Sequence, residues 1–259
     1  ADYEKATARL GLTWNPGREV GLYASWGKGL LPPAAEALAN NPSALGGFNE
    51  GLVPATSNGL EVGARGSLLP SLTYDVAFFH LRTEDDFGRY RVPTRPLETF
   101  YGNLGATRRW GVETSVGWLP APGLDVQLAW TWSRFKYTDV SSLFGSYSDT
   151  FMPNVPEHQL YVDVEYSPLP SLAVGASADV VTRWAIDPSN QTWVGGYTLL
   201  NARAAYRWRA RGLHGEVTLV GKNLTGRDYI AFSEPDPDGN SYQPGPRRQV
   251  FAGVRIFLD

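Results

Sequence analysis

The side chains able to do chemistry are few and scattered. His80, His158 and His214 lie far apart, and with no cysteine there is no thiolate nucleophile, disulfide or thiolate metal site. No G-x-S-x-G elbow, Walker loop or H-E-x-x-H helix occurs. Glu113, Glu165 and Glu216 sit in alternating segments opposite apolar residues, where a solvated or ion-paired role accounts for them. Glu84-Asp85-Asp86 has the make-up of a solvated loop edge. The chain therefore reads as a non-enzyme. Asp236, Asp238 and Asn240 place oxygens at alternate positions around Gly239, a faint calcium-loop pattern. The downstream bidentate Glu is missing, and Pro and Asp-Gly are ordinary turn residues, so no metal or cofactor is expected. What remains is recognition. Arg89, Tyr90, Arg91, Tyr101, Tyr147, Arg183, Trp184, Trp193, Tyr229 and Tyr242 combine basic and aromatic groups in or beside long connectors. Guanidinium groups for charge and flat rings for stacking suit a rigid, polar small molecule, anionic or neutral. For each residue the competing use is simply to pack its loop.

The elements that must position these groups follow from composition and pattern. In 259 residues, 19% charged and 42% hydrophobic with a net charge of −3, there is neither a disordered charged tail nor a basic footprint for nucleic acid. Aromatics make up 13%, beside 28 Gly and 19 Pro, a composition of strands and turns. No apolar run of roughly 18 residues exists, so no membrane-spanning helix is expected. Ala1-Asp2-Tyr3-Glu4-Lys5 has no signal-peptide character, and the only Met is Met152. Both features suit a trimmed chain or a segment from within a longer protein.

Period-two alternation marks eleven segments, near 7–14, 20–27, 58–68, 72–82, 107–119, 124–137, 158–167, 172–184, 197–210, 213–223 and 247–258. The clearest sets Leu124, Val126, Leu128, Trp130 and Trp132 against Asp125, Gln127, Ala129, Thr131 and Ser133. Many segments reach ~10 residues, long for a soluble protein and right for a tilted strand crossing a bilayer. Short connectors such as Pro70-Ser71 and Arg211-Gly212 alternate with long ones near 28–57, 83–106, 138–157, 185–196 and 224–246. That two-sided rule is the pattern of an outer-membrane barrel. Trp14, Trp26, Trp118, Trp132, Trp184 and Trp208 stand at segment ends, where interfacial girdles would lie. The expected fold is an all-β, antiparallel, up-and-down transmembrane barrel, with a soluble β-sandwich binding module as the alternative.

Several stretches resemble the carboxy-terminal barrel of TonB-dependent outer-membrane receptors. They are Leu22-Tyr23-Ala24-Ser25-Trp26-Gly27-Lys28-Gly29 before Pro32-Pro33; Tyr101-Gly102-Asn103-Leu104-Gly105 before Arg109-Trp110-Gly111-Val112-Glu113; and Asn154-Val155-Pro156-Glu157-His158. Gly196-Tyr197 through Asn201, Asn223-Leu224 through Tyr229, and Pro244-Gly245-Pro246-Arg247-Arg248 complete the series in order. The resemblance implies a bacterial outer-membrane location and import of a ferric siderophore or similar scarce nutrient. It also implies a TonB complex as partner through a plug domain that this sequence does not show, and surroundings of outer-membrane lipid and lipopolysaccharide. A haem ligand would call on His80 or His158. The family's barrel has 22 strands, so residues 1–259 are expected to be roughly its carboxy-terminal half. A self-contained small barrel acting as a passive channel is the other membrane reading.

Overall fold

The computed structural model describes residues 6–43, 46–140, 145, 147–210, 212–234 and 239–258. In chain order the elements are β1 (Ala8–Trp14), β2 (Gly21–Leu31), a short helix α1 (Ala35–Ala39), β3 (Ala55–Leu69), β4 (Leu72–Val92), β5 (Arg95–Ala121) and β6 (Leu124–Val140). There follow β7 (His158–Leu169), β8 (Leu172–Val181), β9 (Trp184–Ala185), β10 (Trp193–Val194), β11 (Tyr197–Ala210), β12 (Leu213–Lys222), β13 (Ile230–Glu234), β14 (Ser241–Pro244) and β15 (Gln249–Leu258).

Eleven of these form one sheet in the order β1-β2-β3-β4-β5-β6-β7-β8-β11-β12-β15, antiparallel throughout. They are the eleven alternating segments of the sequence. The remaining strands are two small hairpins, β9–β10 and β13–β14, inside long connectors. One expected connector is different in kind. Residues 83–106 mostly extend β4 and β5 into a tall hairpin, with register shifts at Thr83/Asp86, Asp86/Phe87 and Tyr90/Val92. Acidic and glycine residues look like a loop in sequence, yet bulges let the pairing run on through them.

The register sorts side chains into two faces. One row runs Leu12, Ala24, Val62, Phe78, Val112 and Trp132 across β1 to β6, and its neighbours include Val76, Leu128, Val162 and Leu200. On β6 the apolar positions span Leu124 to Trp132, and on β5 Trp110 and Trp118 bracket a stretch of the same length. This is the ~9 residues a tilted strand needs to cross the hydrocarbon layer. The opposite face carries Glu61, Glu113, Asp163, Glu165, Arg203 and Glu216.

Among the described residues nothing covers the apolar face: Leu12 is 72% exposed and Val254 68%. A soluble sandwich would bury that face beneath a second sheet, so the sandwich alternative is overturned. The buried apolar residues Leu52, Phe100, Leu104, Trp184, Ile186 and Val194 lie in or beside the long connectors. Trp184, expected in a girdle, is one of them. The eleven strands do not close on themselves, because among the described residues β1 pairs only with β2 and β15 only with β12. They are not a self-contained small barrel.

Candidate ligand-binding rim

The long connectors gather at one end and are tied together by hydrogen bonds. The first, between β2 and β3, lies on the tall β4–β5 hairpin. Asn103 is its clamp: its amide donates to Val53 O (2.9 Å) and Asp85 O (2.7 Å), and its Oδ1 accepts from Val53 N (3.0 Å). Asn40 reaches Thr99 O at 2.8 Å, Asn49 reaches Tyr101 O at 3.0 Å, and Arg95 donates to Asn41 O at 2.5 Å. Gly105, two residues beyond the clamp, has φ +124°, and a Cβ there would lie 2.2 Å from Asp139 O, so the Tyr-x-Asn-x-Gly stretch needs its glycine. Between connector and hairpin is a polar recess of about 770 Å³ lined by Asn41, Asn49, Glu50, Tyr90, Tyr101 and Asn103 among others. The Tyr101 hydroxyl donates to Glu36 at 3.3 Å. Tyr90 packs 6.1 Å from the Phe100 ring, and burial pushes its pKa up.

A second knot joins the later connectors. The buried Trp184 indole donates to Ser233 Oγ (3.2 Å), which donates to Asn154 Oδ1 (2.5 Å), while Asn154 N donates to Ala185 O (2.9 Å). Three connectors thus meet at one hydroxyl. Tyr197 stands 6.2 Å from Trp184 and 4.5 Å from Tyr229. Gly245 lies so close to Tyr229 that a Cβ would sit 2.0 Å from the ring, which explains the small residue in Pro244-Gly245-Pro246. Asn223, at φ +49°, donates to Arg227 O (2.8 Å) and Pro246 O (3.1 Å) and accepts from Arg227 N (2.9 Å).

Alongside, Asp187 accepts from the Ser189 hydroxyl, Thr192 N (2.6 Å) and Gln191 N (3.2 Å). Burial works against its charge, but these donors outweigh it and hold its pKa below the ordinary value. The Arg183 guanidinium lies 4.7 Å from the Trp193 ring, whose indole donates to Asn190 O at 2.8 Å.

The sequence-predicted binding residues therefore divide. Tyr90 and Tyr101 share the recess, with Arg89 opposite Tyr101 in register and Arg91 two residues further up β4. Trp184 and Tyr229 belong to the second knot through Tyr197, and Arg183 stacks on Trp193 beside it. Tyr147 packs on Tyr137 at 5.5 Å, and burial raises its pKa. Tyr242 stands apart, exposed on β14 opposite Ser233. Between the two groups, Arg89 Nη2 lies 3.2 Å from Glu234 Oε1, an ion pair across 145 residues. Residue types alone did not point to Asn49, Asn103, Asn154 or Ser233. Asn103 and Asn154 were visible only as members of family stretches.

Other candidates fall away from the rim. His80 shares the apolar-face row of Leu60 and Trp110, and His158 stacks on Trp130 (5.9 Å, 13°) on that same face. Neither reaches the polar face where a haem would have to be held. His214 stacks on Phe257 at the short-turn end. Asp236 and Asp238 lie outside the described residues, and Asn240 alone offers no site. Among the described residues no three His, Asp or Glu side chains group as a metal site. On the polar wall, Arg203 of β11 reaches across β8 to Asp163 (2.6 and 2.8 Å) and Glu165 (2.7 and 3.0 Å) on β7.

An apolar outer face, a polar inner face and connectors knotted at one end define a wall section of an outer-membrane barrel. The chain belongs to the TonB dependent receptor-like, beta-barrel family, whose model matches residues 1–224. It is 25% identical over 208 residues to the "Probable TonB-dependent receptor BfrD" of Bordetella pertussis (strain Tohama I), covering 77% of this chain and 27% of that protein. The fold is shared with the siderophore receptor PiuA from Acinetobacter baumannii (TM-score 0.75, 23% identity, 97% of this chain and 36% of that one). It is also shared with the ferric-catecholate import receptor Fiu from K12 E. coli in its closed form (TM-score 0.71, 23% identity, 96% and 34%). The chain thus spans about a quarter to a third of the length of these relatives. Its place is the bacterial outer membrane.

Proposed function

We propose that this chain forms the wall and part of the cell-exterior binding rim of a receptor that imports a ferric siderophore or a similar scarce, rigid chelate. The observation that carries this reading is the knotted rim itself. A passive pore has no need for five connectors fastened to one another, whereas a binding site needs its side chains held still. In this reading Tyr90 and Tyr101 offer flat faces and hydroxyls in the first recess, and Arg89, Arg91 and Arg183 offer positive charge. The 11 strands supply about half of a 22-stranded barrel. Their polar face, with Arg203, Asp163 and Glu165, lines the lumen where a plug domain would pack. Energy would reach that plug through TonB, a contact made outside this chain, and the role is transport rather than catalysis. Uptake of iron-55 chelates by cells producing the full-length protein tests it. Uptake should saturate and should stop when the inner-membrane proton gradient is collapsed or TonB removed. Linear uptake indifferent to both would instead establish the passive channel.

A further inference from the structure

The polar inner face carries a second concentration of positive charge, at the opposite end from the rim. On β11, Arg207 and Arg209 alternate onto the same face as Arg203. Register sets Arg207 beside Glu216 of β12, and Glu216 in turn beside Arg255 of β15. One step nearer the turn, Arg209 lies beside His214 and His214 beside Phe257. These residues border a recess of about 660 Å³. Arg207 stands ten positions below Tyr197 on the same strand, roughly 34 Å at ordinary strand rise. The recess is therefore a separate place from both knots of the rim. Its charge does not balance, because three guanidinium groups meet one carboxylate. Glu216 Oε2 lies 3.0 Å from Arg207 Nε, which leaves Arg209 and Arg255 with neither ion pair nor hydrogen bond among the described residues. Beside them the His214 and Phe257 rings lie stacked, 5.0 Å apart and 14° from parallel. Phe257 is 42% exposed, so a ring face stays open.

We infer that this recess is a second binding site for the imported chelate, met at the periplasmic mouth of the lumen after the rim, and that the chelate is anionic and ring-bearing. The assignment rests on the import reading above. Short turns of an outer-membrane barrel face the periplasm, and the inner face is closed to lipid. An occupant therefore arrives through the lumen or from the periplasm. What it meets is the chemistry of the rim repeated: guanidinium charge beside a flat ring, as at Arg183 and Trp193. An anionic oxygen between Arg209 and Arg255 accepts charge-assisted hydrogen bonds from both, while its ring lies against Phe257. A neutral chelate leaves the arginines uncompensated, and a bare inorganic anion gains nothing from the ring. The cations are exposed, so each contact is water-screened and weak. That suits a site the cargo must leave.

The test uses the full-length protein in detergent, with a dye quenched by nearby iron attached at Ser171→Cys, on the edge of the recess. The probe is ferric tricatecholate, which carries both negative charge and flat rings. Quenching should saturate, and Arg209→Gln/Arg255→Gln should need about tenfold more chelate, the loss expected from two exposed cations. Arg209→Lys/Arg255→Lys should stay close to the parent protein. Arg89→Ala, in the rim, should leave the curve unchanged. Equal curves for the parent and the Gln variant would overturn the assignment, as would complete displacement by millimolar inorganic phosphate. So would the absence of saturable quenching, the result expected if an acidic segment of the polypeptide already fills the recess. Should the Gln variant fail to assemble, the parent protein decides: raising ionic strength must weaken the quenching, and a curve indifferent to salt sinks the site. Iron-55 uptake by cells tests the import reading separately. Saturable quenching without energy-dependent uptake defeats that reading, whereas uptake without quenching defeats only the second site.

Discussion

Asn103, Asn154 and Asn223 each hold one stretch of chain against another, and two of them do so from a left-handed backbone, φ +62° at Asn154 and +49° at Asn223. Asparagine tolerates that region and can bond backbone groups from it. Asn223→Ala should therefore lose three hydrogen bonds, leave buried groups unpaired at about 1–3 kcal/mol each, and strain the turn. The barrel should still assemble, because the bonds lie in the connector between β12 and β15. The checking measurement is limited proteolysis of intact cells: cleavage within 224–246 should rise several-fold, and unchanged cleavage would refute the clamp. Asp187 makes a pH-dependent prediction. Its folded pKa is lowered, so its contribution to the β9–β10 turn is complete above the unfolded value of about 3.9. It is lost as pH falls through the lower folded value. Amide exchange at Gln191 and Thr192, corrected for intrinsic rate, should show protection constant from pH 7 to 5 and falling below about 4. In Asp187→Asn that fall should vanish.

At the level of elements, the strands were legible because every residue of a membrane strand is sorted between lipid and lumen. Alternation therefore runs unbroken from Leu124 to Ser133 and fixes both the strand and its faces. The connectors were not legible in the same way. Thr83 to Ala106 reads as a loop by composition, yet it pairs as the upper β4–β5 hairpin, since above the membrane neither face must be apolar and the alternation disappears. The candidate site suffered from the same loss of pattern. Tyr90, Tyr101, Trp184 and Tyr229 were visible as aromatics, but which of them share a recess depends on contacts between connectors that no local period records. The strand reading makes a sharp prediction on β6. Leu128→Arg places a cation at mid-membrane and should cost about 2–4 kcal/mol. Ala129→Arg, one residue on, faces the lumen and should cost within about 1 kcal/mol. Folding titrations into lipid vesicles compare the two directly, and equal costs would mean the faces are misassigned.

Across the whole molecule, the long-range ties fall into two kinds with different consequences. Arg203 crosses β8 above Gly175, where a Cβ would sit 2.7 Å from the guanidinium carbon, and binds Asp163 and Glu165 together. It locks β7, β8 and β11 into one rigid wall. Arg89 and Glu234 tie connectors that belong to β4 and to the β12–β15 end of the sheet. Those strands are six steps apart, roughly 29 Å along the sheet at ordinary strand spacing. With both side chains about half exposed, 47% and 49%, that ion pair adds at most about 1 kcal/mol to stability. It spans the two halves of the rim, while strand register alone keeps Arg89 opposite Tyr101. Arg89→Ala should thus leave barrel assembly and thermal stability nearly unchanged, yet weaken binding of an anionic chelate to the full-length protein about tenfold, the loss of one charge-assisted contact. Glu234→Gln frees the guanidinium without removing it, so the same chelate should bind equally or more tightly. Measuring both variants by equilibrium titration separates the roles. If Glu234→Gln weakens binding as much as Arg89→Ala, the pair acts by holding the rim closed; if only Arg89→Ala does, the arginine meets the ligand itself.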